Sequence, residues 1–448
     1  MNLGGLTPDK APPLEAPLTL FLLLPVFLVV TGALLIFNGD QLLLSRWTPT
    51  TLAVTHFLAL GTLAPVMCGS LLQVSPVLLG APYPQARRVA KVTALGLGLG
   101  ALGIGLGLLW SSTWLLVSGA AAIVAGLGVF LVASYRALAP LPARSPAGLA
   151  VRLALLALAT AITLGIMLAL GRADVIALSD RLALVDVHAG WGLAGWIGLL
   201  LAGIGMEIVP MFYVAPAFPR RARIWIPLAT FALLVLLTSG GLVQDSTLRT
   251  VAIAGLFLFY AGYNLAAFRL EQRRRRPQRD ANLWLWQGSH LGVICAAAAW
   301  MLQQSVVLVG ILLFGSALAF MIGAVTKIVP FISWLDLQQQ RIASGNHRVK
   351  LPHMQALLPP HRSSAIAVSL LGAVLMVLAG HLATALVSLG GAFLLTCGLL
   401  VAYALYRSMA LRSDIAHQLH QPEVAPGTAN VQGMVHGGHP AKKPPHAA

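Results

Sequence analysis

Charge is what this chain most lacks. Of its 448 residues 9% are charged and 58% hydrophobic, whereas water-soluble domains carry about a quarter charged residues. A water-facing surface cannot be built from that composition, which excludes a soluble enzyme and makes the lipid bilayer the expected partner. Acidic residues are the scarcest, 13 against 29 Lys and Arg, for a net charge of +16. The basic excess does not point to nucleic acid, because it is divided among short loops between apolar runs. Cysteine is nearly absent. Cys68, Cys295 and Cys397 each stand alone inside an apolar run, so a disulfide framework and a CxxC metal or haem-attachment motif are excluded. The N-terminus, MNLGGLTPDKAPPLEAP, has no basic region ahead of a short apolar core, and no cleavable signal peptide is expected. Period-2 alternation is also missing, which excludes a membrane β-barrel and leaves helices to satisfy the backbone in lipid.

What the chain does have is long apolar runs. Each is about the 20 residues needed to cross a hydrocarbon core of roughly 30 Å. Twelve are expected: 17–37, 51–79, 89–109, 113–135, 149–171, 184–215, 222–244, 248–268, 282–302, 305–334, 364–382 and 384–406. The expectation is therefore an all-α, polytopic membrane domain over 17–407. It would be flanked by a short segment 1–16 and a disordered His-, Pro- and Gly-rich tail over 408–448, with one longer loop at 336–363. If the spans alternate from an N-terminus inside, 24 basic residues fall inside and four outside, with Lys327 within a span. That asymmetry places both termini in the cytoplasm, and a multi-pass protein of the cell's inner membrane is expected. The run RRRRPQR at 273–279 is then a topology anchor, with anionic lipid head groups as a second use.

A pattern recurs three times. The segments 55–76, 186–219 and 310–330 each hold a glycine seven residues before a proline: Gly69 and Pro76, Gly203 and Pro210, Gly323 and Pro330. Each also holds a polar residue three before the proline: Gln73, Glu207 and Lys327. The first two open with His56 and His188; the third has Gly310 and apolar residues in that place. Because they fall in spans two, six and ten, a pseudo-three-fold internal repeat is expected.

These positions are the candidate chemistry. Imidazole is a common ligand of haem iron and copper, and His56 and His188 share the outer end of a repeated motif. His290 lies near the middle of the ninth span and needs a partner, either a metal or a hydrogen bond from a neighbouring helix. His381, ending the eleventh span on the same outer side, is a further metal candidate beside His188, or an interfacial residue bonded to a carbonyl. Glu207 and Lys327 are expected to be the only charges deep in the spans. With Gln73 they form an inner polar set, in which the two charges would pair or carry protons.

Twelve spans, outer-end histidines on spans two and six, and the threefold echo of Gly and Pro resemble subunit I of the haem–copper oxidase superfamily. Within it the similarity is to the cbb3-type and nitric-oxide-reductase branch and to NnrS-type proteins. HAGWGLAGWIGLLLAGIGMEIVPMFY is similar to that group's sixth helix, and THFLALGTLAPVMCGSLLQVSPVLLG to its second. The resemblance implies a haem ligand at His56 and a ligand of a second metal, copper, at His188. It also implies a cytochrome c or quinol as redox partner, and a place in respiratory or nitrogen-oxide metabolism as an electron-transfer, sensing or assembly component. The sequence departs from the family where a binuclear centre would be completed, since 222–244 and 305–334 contain no histidine. A diverged membrane oxidoreductase is the enzymatic version of this expectation. A proton-coupled secondary transporter using Glu207 and Lys327 is the alternative from another class.

Overall fold

A computed structural model describes residues 12–142, 145–275 and 279–420. Among them every regular element is helical. Eleven helices are long and apolar enough to cross a membrane: α1 Glu15–Leu42, α2 Pro49–Leu79, α3 Ala86–Leu109, α4 Thr113–Leu138, α5 Pro146–Arg172, α6 Arg181–Tyr213, α7 Arg220–Leu242, α8 Ser246–Gln272, α10 Val306–Ser344, α11 Pro360–Ala379 and α12 Ala385–His420. Between α8 and α10 lies α9, Ala281–Met301. It was expected as a span and has 21 residues, but Asn282, Gln287 and His290 leave it less apolar than the other eleven. The outward side chains of the bundle are apolar, with Phe37 81%, Trp114 88% and Leu242 80% exposed. Such a surface is stable against lipid rather than water.

Local chemistry starts most of the helices. The side chains of Thr48, Ser112, Ser145, Asp180, Asp245, Asp280 and Ser305 accept backbone N–H groups in the first turns of α2, α4, α5, α6, α8, α9 and α10. These caps satisfy donors that have no intrahelical partner. Pro49 and Pro146 occupy the first turn, where the missing N–H costs nothing.

Two ends run further than expected. Helix α10 continues to Ser344, well into the loop expected at 336–363, where Arg412 of α12 pairs with Asp336. Helix α12 continues to His420, so the first part of the segment expected as a disordered tail is helical. The rest of the tail, 421–448, and the N-terminal residues 1–11 lie outside the described residues.

The prolines behave differently in the three motifs. Pro76 sits in a π-helical segment, Ser75–Leu79, that ends α2 at Gly80 in the left-handed conformation. Pro210 is inside α6, which stops three residues later with Val214 at φ 51°. Pro330 is inside α10 and does not end it.

Burial separates the helices into two classes. Within their apolar windows α2, α6 and α10 are 78%, 61% and 61% buried, against 28–50% for the other eight. The three central helices are the three that carry the repeated motif. They converge on an apolar cavity of about 20 Å³ lined by four residues from each: Met67, Ser70, Leu71 and Val74; Leu200, Leu201, Ile204 and Ile208; Phe320, Met321, Ala324 and Ile328. In every copy the residues two, six and nine before the proline are among them.

The motif glycines face away from this axis, toward the preceding helix. A Cβ on Gly69 would lie 2.8 Å from the Phe21 ring of α1, one on Gly203 2.5 Å from Ala150 of α5, and one on Gly323 2.7 Å from Trp286 of α9. A side chain at any of the three would push its neighbour out of contact. Around this centre α3 packs on α4, α7 on α8 and α11 on α12, while α12 closes back onto α1.

Candidate functional site

The histidine ends of α2 and α6 are held together. Arg46, just before α2, donates to Asp186 of α6 at 2.7 Å. Two residues past Asp186, His188 turns its Nδ1 to the backbone carbonyl of Ala161 on α5 at 3.0 Å. Its ring lies against Gly165, where a Cβ would be 3.1 Å from Cε1. His56 turns its Nδ1 to the carbonyl of Leu52, one turn back on its own helix, at 2.8 Å. A carbonyl can only accept, so each Nδ1 carries the proton and each Nε2 is left as an acceptor. Neither Nε2 has a protein partner among the described residues, and both side chains are half-buried. The two imidazoles lie within electrostatic reach of one another. What ties the two histidine-bearing ends is the Arg46–Asp186 pair; the imidazoles themselves bond to different helices, His56 to its own α2 and His188 to α5.

Each histidine is followed by the same departure from α-helical geometry. A π-helical segment runs over Phe57–Leu63 directly after His56, and another over Trp191–Gly198 after His188. π turns are rare and occur mostly as single turns at functional sites; segments of seven and eight residues are longer than that. Packing along these segments is uneven: a Cβ on Gly61 would lie 2.2 Å from the Phe27 ring and one on Gly195 2.7 Å from Ala157. A Cβ on Gly192, one turn past His188, would meet nothing within 4 Å. The indole N–H of Trp196, lower in the same segment, is buried without a partner. In α10 the corresponding stretch is α-helical throughout.

This donor set fits a metal. A ligating histidine commonly gives one ring N–H to a carbonyl, which fixes the tautomer, and coordinates through the other nitrogen. His56 and His188 are both arranged in that way, on different helices. The histidines that would complete a binuclear centre are absent from α7 and α10. Two imidazoles are too few ligands for a dinuclear site. Among the described residues no group of three or more His, Cys, Asp or Glu side chains gathers around a common point.

His290 is a correction. Its ring is 2% exposed, with Nδ1 2.7 Å from Asn264 Oδ1 and Nε2 3.1 Å from Glu271 Oε1. Both nitrogens are taken by side chains of α8, the hydrogen-bonded alternative rather than a metal ligand. His381 is exposed in the turn between α11 and α12, and no contact joins it to His188.

The inner polar set is corrected as well. Glu207 accepts from Arg223 of α7 at 2.9 Å, while Lys327 donates to Asp280 at 2.6 Å. They do not pair with each other, because each finds an opposite charge at the start of a different helix. Gln73 is buried at 6% exposure and joins neither pair. The Lys327 group is a clasp. The Tyr213 hydroxyl donates to the other Asp280 oxygen at 2.8 Å, and the ammonium lies 4.8 Å over the Tyr213 ring. Asp280 caps α9 as well, so one carboxylate joins α6, α9 and α10. Burial pushes this carboxyl up, but the Lys327 ammonium, the Tyr213 hydroxyl and the Leu283 amide outweigh it and hold Asp280 below the usual range.

Glu207 and Lys327 are also not the only charges buried in the helices. Glu271, the penultimate residue of α8, is 0% exposed. Its place at the edge of the Arg273–Arg276 run made it look like loop. The signal that could have found it is its position seven residues after Asn264, on one face of a helix.

The cysteines are free; Cys68 and Cys397 are buried in the packing, and Cys295 is exposed on α9. No known protein family matches this chain, and no curated protein is significantly similar to it.

Proposed function

We propose that this chain is a metal-binding membrane protein built on the plan of oxidase subunit I, with His56 and His188 as the nitrogen ligands of a haem iron or a copper ion. One observation carries the proposal: on α2 and α6, whose ends are joined by Arg46 and Asp186, two half-buried imidazoles each have Nδ1 bonded to a carbonyl and Nε2 unused. A bound haem or copper would supply one-electron chemistry. The protein's own part is to fix both tautomers, to hold the α2 and α6 ends together through Arg46 and Asp186, and to limit water access by the packing of α5.

In this proposal α9 is a twelfth span. Its polar side chains face protein: Asn282 donates to Gly323 and Thr326 of α10, and His290 bonds to α8. The end carrying Arg220, Arg221 and Arg223 is cytoplasmic, as are both termini, and spans one to four, five to eight and nine to twelve form three related groups. The cavity lined by equivalent positions of α2, α6 and α10 supports that grouping. The role is electron transfer, sensing or assembly in respiratory or nitrogen-oxide metabolism, with the lost binuclear histidines weighing against oxygen reduction.

The test is the absorption spectrum and metal content of the full-length protein purified from cells supplied with haem precursor and copper. A Soret band or stoichiometric copper is expected in the wild type and is lost in both His56→Ala and His188→Ala, with His290→Gln unaffected. A colourless wild-type protein without iron or copper would end the proposal.

A further inference from the structure

The buried pair Glu271 and His290 is not used by a metal centre on α2 and α6, and it lies in a different part of the bundle. Two features separate it from an ordinary packing contact. Both residues are almost wholly excluded from solvent, at 0% and 2% exposure. Yet Glu271 Oε2 has no hydrogen-bond partner among the described residues.

The protons in the network can be counted. Asn264 gives its Nδ2 to the Tyr260 carbonyl at 2.8 Å, so its Oδ1 faces His290 and can only accept. His290 Nδ1 therefore holds its proton permanently. The second contact, Nε2 to Glu271 Oε1 at 3.1 Å, requires one more proton, on either the imidazole or the carboxyl. With it the pair is neutral as a whole. Without it two lone pairs face one another and the pair carries one negative charge.

One cationic group bonds to the backbone of Glu271 rather than to its carboxylate. The Arg274 guanidinium donates to the backbone carbonyl of Glu271 at 3.2 Å, and its Nε is buried without a partner. The other groups facing the pair carry no charge: Tyr263 interacts with Glu271 from the same helix, and the Phe320 ring of α10 lies edge-on to His290 at 6.5 Å. Arg273 and Arg275 flank Arg274 in the loop that follows α8.

We infer that Glu271 and His290 form an exchangeable proton site, loaded from the basic end of the bundle through the free oxygen of Glu271. A proton arriving there forms an O–H bond on Oε2. Rotation of the carboxyl about Cγ–Cδ presents that O–H to the imidazole, where it breaks as the N–H bond on Nε2 forms. The site changes net charge by one unit at each loading, and Arg274 stabilises the unloaded state. The inference does not rest on the metal centre.

The experiment is NMR of the full-length protein in lipid nanodiscs with ¹⁵N-labelled histidine, the His290 signals being assigned by their loss in His290→Gln. Across the pH range in which the wild type stays folded, Nδ1 is expected to remain protonated while Nε2 passes from protonated to unprotonated. Arg274→Gln is expected to raise the pair's proton affinity and Glu271→Gln to lower it, each by about tenfold or more. His56→Ala leaves the titration unchanged. An Nε2 that keeps one protonation state throughout that range in the wild type overturns the inference, whatever the variants do. So does a titration that ignores Arg274→Gln and Glu271→Gln.

Discussion

At the scale of single residues, partner choice decides what each polar group does. His56, His188 and His290 are alike in the sequence, but only the first two keep a nitrogen free of the protein. The difference lies in which helix stands opposite: α5 offers His188 a carbonyl, whereas α8 offers His290 both an amide oxygen and a carboxylate. Asp280 shows the same dependence, and it carries a prediction about pH. Its carboxyl is held below the usual range, so the folded state binds that proton more weakly than the unfolded chain. The stabilisation is full above the unfolded value of about 3.9 and is lost as pH falls through the lower folded value. The melting temperature of Asp280→Asn should lie below that of the wild type by a constant amount between about pH 7 and 5. The gap should narrow as acid protonates Asp280 in the wild type. A gap that persists unchanged to about pH 3 would mean that the cap and the tyrosine bond, rather than the charge, hold the clasp.

At the scale of elements, the π-helical segments are the feature that distinguishes α2 and α6 from α10. Each places a histidine and a proline motif on one helix with an angular offset that a plain α-helix would not give. Removing one residue from such a segment changes the angle between everything before it and everything after it. Deleting Gly192, whose position meets no neighbour, is therefore expected to swing His188 away from Ala161 and Gly165 and abolish the metal binding proposed above. The Glu207–Arg223 pair and the axial cavity should keep their wild-type geometry. Spectra and melting curves taken together check this, since a variant that melts like the wild type and still binds metal would show that the π turn does not set the ligand. None of this was visible beforehand, because glycine and tryptophan in an apolar run fit an α-helix equally well and π geometry follows from packing.

At the scale of the whole molecule, three central helices meet along one axis and the remaining helices shield them from lipid. The cavity of about 20 Å³ on that axis is near the size of a single water by this measure. It cannot take three further carbon atoms. Ala324→Leu should thus force α2, α6 and α10 apart, at a cost of about 1–3 kcal/mol, read as earlier thermal unfolding in detergent. Leu375→Ala on the 59% exposed face of α11 should leave the melting curve almost unchanged. Equal effects from the two substitutions would mean that the axis is not the core of the bundle.

The sequence alone determined that this is a helical protein for a lipid environment, since apolar length and scarce charge leave the backbone no other solution. It also marked the three central helices, because a motif that must pack against a preceding helix and face a shared axis keeps its glycine and proline in register. Ion-pair partners, histidine nitrogens and the buried Glu271 were decided by tertiary structure. Periodicity along a helix states which residues share a face, but Arg223, Asp280, Ala161 and Asn264 reach their partners from other helices. The weaker apolar character of α9 has the same origin, as its polar groups are satisfied by α8 and α10 rather than within its own sequence.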